Sequence, residues 1–114
     1  MSAEKAAPAP DLHDQAGEIA GLVEYAEGAV VSRALRSGKS GSITLFAFDS
    51  GQELSEHTTP CDAFVQVLDG RGEFTVAGRK HEVRAGQGLL MPASVPHAVR
   101  AVERFKMLLT MFRP

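Results

Sequence analysis

Two histidines in this chain lie beside turns, where their imidazoles are free to do chemistry. His57 sits in GQELSEHTTPCDAFVQVLDG, from Gly51 to Gly70, and His97 closes GQGLLMPASVPH, from Gly86 to His97. Neutral imidazole is the commonest protein ligand for transition metals. Each segment reads as a strand, a bend and a second strand, with the histidine near the bend. If the segments face each other across a sandwich of sheets, the two rings converge on one pocket.

A protein-bound metal centre usually takes three or four protein ligands. His57 and His97 supply two, and Thr59, Cys61, Asp62 and Gln66 are the polar residues nearest in sequence. A neutral threonine is a poor ligand. Strand alternation points Asp62 away unless a bulge re-aims it. The competing reading of the pair is a pocket wall whose imidazoles hydrogen-bond water or a ligand, with no metal. Cys61 is a thiolate ligand only where a nearby cation depresses its pKa, and otherwise a small half-buried hydrophobe. Gln66, an amide among Val65, Val67 and Leu68, must find partners if buried, in a pocket or a subunit interface. Glu53 and Glu56 read as solvated charges, and His81 as a strand histidine satisfied by a neighbour. His13 falls in the N-terminal stretch and takes no role. No residue is assigned a catalytic role. No glycine pattern of a nucleotide-binding loop occurs.

The elements that must hold these residues are strands. Val30 to Leu35, Ile43 to Asp49, Glu53 to Thr58 and Phe64 to Leu68 alternate or carry β-formers, with Asp69-Gly70 as a hairpin-turn signal. Gly72 to Val76 and Lys80 to Val83 form a hairpin around Ala77-Gly78. Leu89 to Met91, Ala98 to Val102 and Phe105 to Phe112 complete the set. Turn signals every ~8–12 residues are the cadence of an all-β sandwich or barrel. Ala16 to Ala26 reads as a helical turn followed by a short strand. Residues 1–15 are Ala/Pro-rich and polar, which predicts a flexible tail before a single domain over 16–114.

Composition narrows the function classes. The 114 residues carry a formal net charge of -2 with pI about 6.1, so the basic footprint of a nucleic-acid binder is absent. No apolar run approaches the ~20 residues of a membrane helix, and no signal-type apolar region opens the chain. A single cysteine fits a reducing cytoplasm. The stretch ITLFAFD is apolar on both faces, and Phe105 to Phe112 is apolar as well. We therefore expect a homodimer that covers one of those faces.

The two histidine segments resemble the paired signatures of the cupin superfamily, over residues 28–112. Gly51, His57 and Gly70 match the first signature; Thr59 stands where its second histidine falls and Ala63 where its glutamate falls. Gly86, Pro92 and His97 match the second signature, with Ser94 at its later glycine and Ala101 at its asparagine. The resemblance implies an antiparallel jelly-roll barrel with an internal pocket, and it places Thr59 and Ala63 on the pocket wall beside Cys61 and Gln66. It also implies a divalent transition metal (Zn, Ni, Cu, Fe or Mn) held weakly by His57 and His97. The function expected is dioxygenase, isomerase or lyase chemistry on a small organic substrate. The alternative is a non-catalytic module that binds or senses a small molecule.

Overall fold

The computed structural model describes Leu12 and residues 14–114. Among the described residues, eight strands follow one short 3-10 turn, Ile19–Leu22. They are β1 (Val30–Gly38), β2 (Gly41–Phe48), β3 (Glu53–His57), β4 (Asp62–Val76), β5 (Arg79–Arg84), β6 (Gly88–Met91), β7 (His97–Arg100) and β8 (Phe105–Phe112). All pair antiparallel in the order β1-β2-β8-β4-β7-β3, with β5 and β6 also on β4. The architecture is the expected antiparallel jelly roll. No helix among the described residues is long and apolar enough to cross a membrane.

β4 belongs to both sheets. Its first half pairs with β8 and β6, and its second half with β7 and β5. The sequence signal at Asp69-Gly70 is therefore not the hairpin turn expected there. It is a bulge inside one 15-residue strand, with the β8 register slipping between Val67 and Asp69. Gly70 has φ 69°, and a Cβ there would lie 2.0 Å from the Arg104 carbonyl oxygen. A glycine in left-handed conformation serves a bulge as well as a turn. Long-range pairing on both sides of β4 decided between them. The hairpin at Ala77-Gly78 forms as expected, with φ 50° and 81° at its two central residues.

Alternation in β2 splits its apolar residues between two cores. Phe48 enters the barrel interior with Val65, Val67, Phe74, Met91, Val99, Phe105 and Met107, and Phe46 packs against that cluster. Leu45 and Ala47, both fully buried, point the other way. They pack with Leu22, Val23 and Val31 in a second cluster, edged by Leu12, Tyr25 and Leu108. The second apolar face of this strand is thus met by the chain's own N-terminal segment. After the 3-10 turn that segment runs extended and unpaired, in place of the short strand expected before Ala26.

Cations from the barrel hold it down. Arg33 Nη1 donates to the Leu22 carbonyl at 2.8 Å and Lys106 Nζ to that of Ala20 at 2.7 Å. Tyr25 Oη donates to Asp69 Oδ2 at 2.5 Å, beneath the Lys106 ammonium and the Arg104 guanidinium. Most of the expected 1–15 tail lies outside the described residues; Leu12 is half-buried against the second cluster.

Candidate functional site

β3 and β7 bring the two histidines together. They are direct partners in the ladder, after a register slip between Leu54 and His57. The slip matters, because His57 then faces its partner across the strands. Ring centroids stand 4.3 Å apart at 68°. Val76 of β4 flanks His97 on its other side. His57 is exposed, whereas His97 is 5% exposed. Burial pushes the His97 pKa below its ordinary value, and the neighbouring His57 adds to that, against a smaller opposing pull from the Val95 carbonyl.

Both rings are oriented by main-chain carbonyls. His57 Nδ1 lies 2.7 Å from the Ser55 oxygen and His97 Nδ1 lies 3.2 Å from that of Val95. A carbonyl only accepts, so each Nδ1 carries the proton and each Nε2 keeps its lone pair. Sequence reasoning missed these two carbonyls, since any residue type supplies one.

The loops that carry the histidines are stitched to each other. The Ser94 amide donates to the Thr59 carbonyl at 2.8 Å, and the Ala93 amide to Asp62 Oδ1 at 2.8 Å. Asp62 is thus a loop tether. Ser94 holds φ 64°, the left-handed conformation that its place in the signature implied for a glycine.

The remaining candidates divide. Ala63 is buried in the interior cluster, on the barrel side of β4. Thr59 is half-buried and its hydroxyl accepts the Cys61 amide at 3.2 Å, so it caps its own loop. Cys61 is a half-buried free thiol. Gln66 is exposed, on the opposite face of β4 from Val65 and Val67, and so leaves the list of pocket residues. Alternation decides this: its neighbours on both sides are the ones that fill the barrel. Among the described residues no three of His, Cys, Asp and Glu cluster to hold a metal. An open groove of about 350 Å³ crosses the outer face of β3, β7 and β4, between Glu53, Ser55, Glu73, Thr75 and Arg100; neither histidine lines it.

The cupin domain family profile matches residues 44–111, the stretch that contains both histidine loops and their ladder. The chain is a cupin. A protein of unknown function from Streptococcus pyogenes, SPY1581, superposes with a TM-score of 0.87 at 35% identity, covering 95% of this cupin and 96% of that chain. A cupin 2 conserved barrel domain protein from Leptotrichia buccalis is 41% identical with a TM-score of 0.80, covering 82% of this cupin and 46% of that chain. A curated protein of Streptomyces cyaneus, described as polyketide synthase CurC, is 38% identical over 64 residues. That match covers 55% of this cupin and 42% of the Streptomyces protein.

Proposed function

We propose that this cupin binds a small organic molecule at its barrel mouth, with His57 and His97 as the recognition element. The observation that carries the reading is the pair of imidazoles held by their Nδ1 atoms, which leaves two Nε2 lone pairs. One ring is wet and the other dry, so a ligand would have one solvated edge and one enclosed edge. Lone pairs accept, so the ligand class is one that donates: a compact oxygen-bearing molecule with hydroxyl groups. The description of the Streptomyces relative as a polyketide synthase suggests hydroxylated polyketide-type compounds as the first to try.

A divalent ion fits the same lone pairs in part. Metal-binding histidines characteristically donate the other ring nitrogen to a carbonyl or carboxylate, as both do here. Two nitrogens fall short of the three that a catalytic zinc keeps, and Ala63 offers no donor. We therefore infer weak binding of Zn²⁺, Ni²⁺ or Cu²⁺ and assign no reaction step to a metal. The second reading, a metal-dependent enzyme, rests on this same orientation of the rings.

The test has two arms. Titration calorimetry with Zn²⁺ should give weak binding that His57→Ala and His97→Ala each reduce by roughly tenfold or more. Thr59→His with Ala63→Glu should tighten it. If the alanine variants leave affinity unchanged, the ion sits elsewhere and the site is misassigned. In the second arm, a hydroxylated aromatic ketone is titrated into chelator-treated protein while imidazole ¹⁵N shifts are followed. Movement of both Nε2 signals without metal supports the binding module. Movement only after Zn²⁺ is restored favours the enzyme reading.

A further inference from the structure

Met91, Met107 and Met111 belong to the interior of the barrel. Two of them flank Ala63, the position where the cupin signature has its glutamate. Met91 on β6 and Met111 on β8 are its ladder partners on either side, so the three side chains stand in one inward row. In the other sheet the corresponding row is His57, His97 and Val76. Ala63 and Val76 lie at equal sequence distance from Asp69-Gly70, where β4 passes between the sheets. The two rows therefore face each other at the same end of the barrel.

The connection between them is short. Residues 92–96 run from Met91 straight to His97. That loop is pinned at the Ala93 and Ser94 amides, by Asp62 Oδ1 and the Thr59 carbonyl. Both of its ends are dry: Met91 is 2% exposed and His97 5%. Packed sheets stand ~10 Å apart, a gap that a methionine and a histidine reaching inward can close between them.

We propose that the barrel mouth holds a soft monovalent ion, Cu(I), between the Nε2 atoms of His57 and His97 and the thioether sulfur of Met91. The inference rests on the histidine site proposed above and adds a third donor that neither signature contains. Two arguments select the ion. The first is donor softness: a thioether beside imidazoles suits Cu(I), whereas Zn²⁺ gains little from a neutral sulfur. The second is charge. No carboxylate belongs to either row, and Asp62 is engaged by the Ala93 amide. An ion there meets neutral donors alone, in a dry setting. The cost of burying an ion grows as the square of its charge, so a monocation is desolvated for about a quarter of what a dication costs. Alanine in place of glutamate thus turns the site from divalent ions toward a monovalent one.

The experiment is anaerobic competition for Cu(I) against a chromophoric chelator, with untagged full-length protein in a Cys61→Ser background. Met91→Leu, which conserves volume, should weaken Cu(I) binding by roughly tenfold or more. The same variant should leave Zn²⁺ affinity within about twofold of wild type, because the imidazoles carry that ion. Met107→Leu is the control. It lies deeper, opposite Val67, and should change neither affinity. X-ray absorption at the copper edge should show a sulfur neighbour in the Cys61→Ser protein that Met91→Leu removes. Two outcomes overturn the proposal: Cu(I) affinity that Met91→Leu leaves unchanged, or a copper spectrum with nitrogen neighbours alone. If His57→Ala and His97→Ala still weaken Cu(I) and Zn²⁺ in that case, the histidine site stands and only its thioether donor falls. If those variants change nothing either, both readings fall together.

Discussion

His97 is where burial and titration meet. Its folded-state pKa is depressed by burial and by His57, so the fold favours the neutral ring. The unfolded chain then binds more protons than the folded one as pH falls below the ordinary value of 6.5. Stability attributable to His97 should be complete above that value and decline as pH drops from it toward the lower folded pKa. Urea melts at pH 7.5 and pH 5 should show this decline, and His97→Gln should flatten it. A second residue-scale expectation concerns Ser94, which spends strain on φ 64°. Ser94→Gly relieves a left-handed non-glycine residue, an effect of ~1 kcal/mol. Thermal melting should show a rise of a few degrees with the His57–His97 contact unchanged.

At the scale of elements, the β4 bulge is the hinge on which one strand joins two sheets. Gly70→Ala adds a Cβ at 2.0 Å from the Arg104 carbonyl and imposes a left-handed conformation on alanine. A loss of at least ~2 kcal/mol is expected by chemical denaturation. Gly28→Ala is the control: its φ of 67° carries the same conformational strain, but its Cβ would meet nothing. The excess at Gly70 measures the clash. The N-terminal segment has its own lock. Tyr25 is raised above its ordinary pKa of 10, first by burial, then by its hydrogen bond to Asp69 and the Asp69 charge. A raised pKa means the neutral phenol is the stabilising form. Its contribution should be whole below pH 10 and vanish as pH climbs from there through the folded pKa. Stability measured at pH 9 and 11, wild type against Tyr25→Phe, isolates it from lysine titration. The difference should be ~1 kcal/mol at pH 9 and near zero at the alkaline limit.

At the scale of the molecule, the N-terminal segment covers part of one outer face of the barrel. Leu45 and Ala47 are fully buried because Leu22 and Val23 lie over them. Deleting residues through 23 should cost ~3–5 kcal/mol, the transfer of two large side chains plus the surface they cover. Deleting only residues 1–11 removes neither and leaves Leu12 on the second cluster, so the melting temperature should barely move. A large drop in the short deletion would show that residues 1–11 also stabilise the barrel.

The alternation of Val65, Val67 and their polar neighbours, and the turn residues between strands, determined an all-β chain and most strand positions before any coordinates. The spacing of Gly51, His57 and Gly70, with Gly86, Pro92 and His97, singled out the two imidazoles that the β3-β7 ladder sets side by side. Periodicity reports only which face a side chain takes relative to its own strand. It could not say that the second apolar face of ITLFAFD is met by Leu22 and Val23, because that contact joins segments about twenty residues apart through an unpaired stretch with no pattern. Nor could it separate a turn from a bulge at Asp69-Gly70, since both use a glycine at positive φ and differ only in what pairs on either side. Gln66 was a candidate for a pocket or a subunit interface because its neighbours are apolar, and Val65 and Val67 take the inward face and leave it outside. The orientation of His57 and His97 was likewise a tertiary decision. It depends on a slip in the β3 register and on two main-chain carbonyls, groups that every residue carries and no sequence motif marks.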